Sequence, residues 1–278
     1  MIKKVSNNKL QVLPKEDWYH RLSIQVSLNG LSFCVLNTIE QTLEVNYANR
    51  FKAQVTPFQL QQALKDNFTA HDILKYNYSE VLVIHDNLLY SLVPTPLFDA
   101  EQLPNYIKYN ARILPTDHLD YDHLSALDIH NVFVPYTNIN NYVFDLFGAF
   151  EFKHASTVLL ETLAKIHGAN QETLGYVHLS ENQMDLTIFS QKRLRYFNRF
   201  EITSETDFLY YLLFAMEQLD ENPSNIKLRF VGDASHTSTY FEIANNYFEH
   251  VSILLPQTNL ADQTQVTADI DFTLMHSL

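Results

Sequence analysis

IQVSLNGLSFCVL, residues 24–36, decides how this chain reads. Apolar side chains fall at every second position on both sides of a polar centre, the period of a half-buried hairpin whose alternate residues face one core. Asn29-Gly30 is the dipeptide that supplies positive backbone angles to a tight two-residue turn, so the turn is expected there. The chain then repeats itself in VHLSENQMDLTIF, residues 177–189. Ile24 meets Val177, Val26 meets Leu179, Leu31 meets Met184, Phe33 meets Leu186 and Val35 meets Ile188. Ser27 and Asn29 meet an identical Ser180 and Asn182, and the second turn is expected at Asn182-Gln183. Further on, Asn49-Arg50-Phe51 returns as Asn198-Arg199-Phe200, in the same order and at nearly the same distance. Two ordered matches are poorly explained by chance and point to two related halves.

Working outward, the first half reads as strands near 21–28, 31–37 and 42–49. Thr56-Pro57-Phe58-Gln59 follows as a capping box opening a helix, with Leu60, Ala63, Leu64 and Phe68 as its buried stripe. EVLVIHD and LLYSLVP read as strands, residues 99–110 as a helix, and PTDHLDYDHLSALDIH as a polar stretch. A strand at 131–135, a helix capped by Asn138 and stopped at Gly148, the strand AFEFKHA and a helix over 156–167 follow. After its hairpin and third strand, the second half has a helix capped by Ser204, with Phe208, Leu212, Ala215, Met216 and Leu219 on one face. IKLRFVGD then reads as a strand, 237–248 as a helix, VSILLP as a strand and DFTLM as a last edge strand. The expectation is an α/β fold of two lobes, each a mixed sheet with a three-stranded meander and flanking helices. The first lobe spans 1–155 with an inserted block at about 80–128, and the second spans 156–278.

Composition narrows the function classes. With 278 residues, 46% of them hydrophobic and 13% aromatic, the chain can bury a core of ordinary size. A net charge of -13, spread without long runs, argues against a nucleic-acid surface and against an anionic-membrane surface. The lone Cys34 rules out an intramolecular disulfide and a cysteine-built zinc site, which suits a reducing cytoplasm. No apolar run has the length of a signal-peptide core or of a bilayer span, so the protein is expected to be soluble, cytoplasmic and without membrane insertion.

Three strands, a helix, then strand, helix and strand, occurring twice, resembles the actin-like ATPase fold of sugar kinases, Hsp70 chaperones and the actin-like proteins of pilus and secretion machines. In NRF, in NVFVPYTNINNYVFDLFG and in FKHASTVLLE the chain is similar to the uncharacterised Bacteroidetes family known as domain of unknown function 3822. That resemblance covers nearly the whole chain. It implies two actin-like ATPase lobes of the ribonuclease H-like kind with a cleft, and no established activity.

In active actin-like ATPases the first hairpin turn of each lobe holds phosphate through backbone amides, beside an acid and a glycine, and a glycine-rich segment holds adenosine. Carried onto this chain, the candidate cleft and nucleotide-binding residues are Ser27, Asn29 and Gly30, then Ser180 and Asn182, then Gly232 and Asp233. The usual Asp-x-Gly is missing from the first turn, where Ser27 or Asn29 stands near the acid's place, and the second turn, Ser180-Glu181-Asn182-Gln183, has no glycine. Backbone approaches a phosphate most closely where side chains are absent, and the chain holds only 5 glycines, two of them explained as helix stops. The reading is therefore a non-catalytic, pseudo-ATPase binding or scaffolding protein without cofactor. Its partner is expected to be a protein, with a second copy of the chain as one option. The alternative is a divergent ATP-binding protein or ATP-dependent phosphotransferase that takes ATP with magnesium, the magnesium held by Asp233 or Glu181.

Other constellations carry less. Asp117, His118, Asp120, Asp122, His123, Asp128 and His130 offer imidazole and carboxylate ligands, but without diagnostic spacing and in a polar insertion, so a solvated loop is expected and no metal. Asp233 with His236 is the nearest thing to an acid-base pair, with loop capping as the plainer role. Gly-x-Ser-x-Gly is absent. Tyr210, Tyr211 and Tyr240 lie in amphipathic helices whose default is core packing, the alternative being a partner-facing surface.

Overall fold

The computed structural model describes residues 18–109, 111–114, 116–180, 182–232, 238–254 and 272–277. They fall into two compact units, one holding the residues up to Leu159 together with 272–277, the other beginning at Leu160. Each is taken by itself below.

The first unit opens with β1 (His20–Val26), β2 (Gly30–Asn37) and β3 (Thr42–Arg50), an antiparallel meander with Ile24 opposite Phe33 and Phe33 opposite Tyr47. Alternation puts Leu22, Ile24, Val26, Leu31, Phe33 and Val35 on one face, and all are buried. Helix α1 (Pro57–Ala70) covers that face with Leu60, Leu64 and Phe68. Its capping box forms as expected: Gln59 N donates to Thr56 Oγ1 at 3.3 Å, and Thr56 N donates to Gln59 Oε1 at 2.9 Å.

β4 (Tyr78–His85) then joins β1 in parallel, with Val83 opposite Ile24. It is the fourth strand of the main sheet, so the insertion starts after His85 and not at residue 80. The misreading has a plain cause. VLVIH and NVFVP are both short continuous apolar runs, and such runs do not reveal which sheet they enter.

The inserted block comprises β5 (Tyr90–Pro94), α2 (Leu103–Ile107), β6 (Asp120–Leu124) and β7 (Ile129–Phe133). Its strands form their own antiparallel sheet in the order β5-β7-β6. The expected helix over 99–110 shortens to α2 behind a single 3₁₀ turn at Ala100–Gln102, and the polar stretch after it is a hairpin rather than a loop. Asp122 explains why so polar a segment packs. Its Oδ2 accepts from His154 N at 2.9 Å and from Thr157 Oγ1 at 2.7 Å, while Asn131 Nδ2 reaches Ser156 and Thr157 at 3.0 and 2.9 Å. A carboxylate at a helix start is held by the unpaired amides there, and this one fastens the small sheet to the segment that follows.

That segment is α3 (Thr137–Phe147), β8 (Glu151–His154) and α4 (Ala155–His167), with β8 parallel to β4. The first sheet thus has the order β3-β2-β1-β4-β8. Gly148 stops α3 at φ 76, as expected, but Asn138 does not cap it. The Asn138 amide instead donates to Pro57 O at 2.8 Å, tying α3 to the start of α1.

The second unit has β9 (Leu174–Ser180), β10 (Gln183–Ser190) and β11 (Arg193–Glu201) as its meander, then α5 (Glu205–Gln218), β12 (Lys227–Gly232), α6 (Thr239–Tyr247) and β13 (His250–Ile253). The sheet order, β11-β10-β9-β12-β13, is that of the first sheet with each strand replaced by its counterpart. Val177, Leu179, Met184, Leu186 and Ile188 face Phe208, Leu212, Ala215 and Met216 of α5 in one core. Ser204 caps α5, as expected, its Oγ accepting from Asp207 N at 3.1 Å. DFTLM contradicts its reading: Phe272–Met275 is a short helix, α7, with all four residues buried. Leu274 packs with Cys34, Ile84, Ala155 and Val158, and Thr273 Oγ1 donates to Gln25 Oε1 at 2.7 Å, so tertiary burial overrides the β-propensity of the pattern.

Candidate functional site

Ser27, Asn29 and Gly30 come together in the β1–β2 turn, one residue away from its expected position. Ser27 N donates to Gly30 O at 2.9 Å, which makes Leu28 and Asn29 the central pair. Neither Asn29 nor Gly30 has a positive φ. The reason is the Ser27 hydroxyl, whose oxygen accepts from Asn29 N at 3.2 Å and from Gly30 N at 2.9 Å and fixes the turn from its own first residue. The glycine is needed for closeness: a Cβ at Gly30 would lie 3.1 Å from Asn49 O of the edge strand. Asn29 O in turn accepts from Phe51 N at 2.8 Å, and Leu28 O from Val55 N at 2.9 Å. Two of the amides that would cradle a phosphate at this turn therefore already have a partner inside it.

Ser180, Asn182 and Gly232 are neighbours in the second unit. Ser180 pairs with Gln183, so the turn centre is again one residue earlier than expected. Asn182 O accepts from Ile202 N at 2.8 Å, repeating the bond made by Asn29 O. Gly232 ends β12 opposite Leu179 with φ +80. A Cβ there would lie 2.5 Å from Leu179 O and 2.8 Å from His178 Cδ2, so its backbone rests directly on the imidazole. Asp233, Glu181 and His236 lie outside the described residues.

The sequence reading missed what His178 belongs to. His178 on β9, Asp185 on β10 and Arg199 on β11 are consecutive cross-strand partners. Arg199 grips Asp185 with Nε–Oδ1 at 2.6 Å and a second bond to Oδ2 at 2.9 Å, and His178 Nδ1 is 3.1 Å from Oδ2. Burial acts to raise the Asp185 carboxyl, but the Arg199 charge and the hydrogen bonds from His178 and Arg199 outweigh it and hold the group far below the usual carboxylate range. The signal was present: Asp185 interrupts the apolar alternation of its strand, and Arg199 lies in the repeated Asn-Arg-Phe. In the first unit Gln25, Ser32 and Ala48 stand at the places of His178, Asp185 and Arg199. The ladder is thus particular to the second unit.

Among the remaining candidates, Asp122 is committed to His154 N and Thr157, and His123 stacks on His130 with ring centres 4.4 Å apart. No three His, Cys, Asp or Glu side chains among the described residues come together to hold a metal. Tyr211 stacks on Phe200 at 4.4 Å and Tyr240 packs at a tilt on Phe208 at 4.9 Å, which ties both into the core, whereas Tyr210 is exposed beside Phe214. No helix among the described residues is long and apolar enough to cross a membrane.

Among solved structures, the chain resembles a Bacteroides thetaiotaomicron protein with actin-like ATPase fold and unknown function. Sequence identity is 21%, the match covers 94% of this chain and 97% of that one, and the TM-score is 0.78. It also resembles a chain of the PilM-PilN type IV pilus biogenesis complex at 10% identity, covering 92% and 91%, with a TM-score of 0.51. These likenesses give the fold, an actin-like ATPase fold in α/β form with two five-stranded sheets and a small third sheet. No curated protein matches the chain. Residues 11–251 match the family described as protein of unknown function (DUF3822), and the chain belongs to that family.

Proposed function

We propose that this protein is a non-catalytic actin-like binding or scaffolding protein whose partner is another protein, with a second copy of the chain as one option. The observation that carries the reading is the Ser27 hydroxyl, which takes the Asn29 and Gly30 amides for itself. A phosphate at this turn would have to displace an intramolecular acceptor that costs no binding entropy. The Asp185 carboxylate points the same way, since Arg199 and His178 already occupy it and it is poorly placed to hold magnesium. The matching strand orders support descent of both units from one duplicated ancestor. A chain of similar fold is part of a protein complex in PilM-PilN, which makes a protein partner a natural use of the fold. A single buried thiol, Cys34, suits a cytoplasmic location.

The competing reading, a divergent ATP-binding protein or phosphotransferase, draws on Gly232, which keeps a side-chain-free strand end at φ +80. Thermal melting separates the two. A site with micromolar affinity adds about 4 kcal/mol at millimolar Mg-ATP, a shift of roughly 10 °C for a chain of this size. No shift is expected, and a rise of several degrees would overturn the proposal.

A further inference from the structure

Helix α4 ends on an imidazole sealed into the second unit. His167 is its last residue, and the side chain is only 4% exposed. The ring lies against Phe189 of β10, with centres 4.9 Å apart at 21°, and edge-on to Tyr176 of β9 at 6.3 Å. Both ring nitrogens are buried, and neither makes a hydrogen bond of ordinary geometry. Buried polar atoms are nearly always paired, because leaving one unpaired costs about 1–3 kcal/mol. The neutral imidazole already bears that cost, and an imidazolium would add a buried charge with no counter-ion.

The groups packed around the ring offer a cation little. Arg229 of β12, opposite Tyr176 in the parallel ladder, brings a like charge to it. Tyr176 stays neutral, its hydroxyl pushed up by burial, and Phe189 carries no charge. Lys165, in the same helical turn, is a second cation, and Glu172, in the connection to β9, is engaged by Lys227 at 2.6 Å. A helix end ordinarily favours a cation through its free carbonyls, but Ala164 O accepts from Gly168 N at 2.9 Å and His167 O from Asn170 N at 3.1 Å. Burial therefore pushes the His167 pKa below its ordinary 6.5, the Asn170 backbone offsets part of that, and the Arg229 charge adds to it. The connection itself, residues 168–173, is held to the sheet through side chains, Thr173 Oγ1 with Ser190 Oγ at 3.0 Å and Glu172 with Lys227.

We propose that His167 is an acid-sensitive latch: taking up a proton drives the imidazole out of its aromatic seat and frees the end of α4 and the connection to β9 from the second sheet. The latch lies in the second unit and does not rest on the reading of the Ser27 turn. Because the closed form binds the proton less well than the open one, closure is complete above about pH 6.5 and weakens as pH falls below it. An open-state value of 6.5 sets the ceiling, a rise in opening of at most roughly twenty-five-fold between pH 7 and pH 5. Hydrogen exchange of the full chain, corrected for the intrinsic pH dependence of amide exchange, reads that opening. Peptides within residues 163–176 are expected to open at least about fivefold more at pH 5 than at pH 7, while β1 and β2 change by less than about twofold. His167→Phe and His167→Gln remove the titrating group, one with an apolar ring and one with a polar side chain, and each is expected to erase the difference. His178 and His250 remain in both variants as internal controls. Arg229→Met removes the facing charge and is expected to shrink the difference about twofold, which general acid lability does not imitate. Carbon-13 NMR of histidine-labelled protein, with the His167 resonance assigned by its loss in His167→Gln, is expected to show titration below 6.5 and needs no folded variant beyond that assignment. Equal opening at both pH values, an acid response that survives in the His167 variants or is unmoved by Arg229→Met, or titration of His167 at or above 6.5 would each overturn the assignment.

Discussion

Replacing Arg199 with methionine tests whether the second unit's ladder is a structural lock. The ion pair is sealed, its side chains 5% and 2% exposed, which removes it from the surface class worth about 0–1 kcal/mol. Removing one partner of a buried pair costs about 3–5 kcal/mol, because the other charge is left behind in a poor solvent. Methionine keeps most of the aliphatic stem, so the loss reports charge more than packing. The pH dependence follows from the direction of the Asp185 shift. In the native protein the carboxyl titrates below its unfolded value of 3.8, so its contribution is complete above that value and is lost as pH falls through the folded one. In Arg199→Met the burial contribution, which raises the carboxyl, is opposed by His178 alone. Asp185 should then titrate above its unfolded value, and its penalty should be full near pH 7 and fade as pH is lowered. The gap between the two proteins is therefore widest at neutral pH and narrows toward about pH 4. Trp18, the sole tryptophan, lies in the first unit, so the measurement is hydrogen exchange of β10 and β11 amides, with β1 and β2 as internal control. Pairing Arg199→Met with Asp185→Leu should recover at least half of the loss. A loss below about 1 kcal/mol, or a gap of equal size at both pH values, would refute the reasoning.

Gly232→Ala should cost the second unit more than about 2 kcal/mol, since the new methyl meets Leu179 O at 2.5 Å at a φ of +80; an unchanged melting temperature would contradict that geometry. Cys34 is fully buried, with its thiol pushed up to about 12 by that burial, so the intact chain should react very slowly with Ellman's reagent. Truncation before Phe272 should speed labelling by at least about tenfold, and equal rates would mean that Leu274 does not shield the thiol.

Much of the fold was legible because its signals are local. The capping box at Thr56, the Ser204 cap and the stop at Gly148 are written in adjacent residues and formed where they were read, and the period-two strands formed with their turns one residue earlier. The failures are long-range. Whether VLVIH of β4 or NVFVP after it enters the main sheet depends on pairing with β1, more than fifty residues away, and both runs are equally apolar. Asn138 has a good capping side chain, but Pro57 O on another helix claims it. Asp122 reads as a solvated loop residue until the amide of His154 is brought to it. The candidate turns were legible in place to within one residue but not in state. The residue types at Ser27 and Asn29 are compatible with a phosphate cradle, and only coordinates reveal that the serine oxygen has turned inward onto the amides.

The position of Leu274 has a consequence for synthesis. The cluster it completes is otherwise assembled from residues no later than Val158, so a ribosome that has delivered all the strands of the first sheet still withholds the last piece of its interior. The second sheet is whole by Ile253 and can settle while the first waits, its thiol uncovered. Closure of that cluster thus waits for a segment made after the second sheet, and a nascent chain stalled before Phe272 would leave uncovered a thiol that the folded protein conceals.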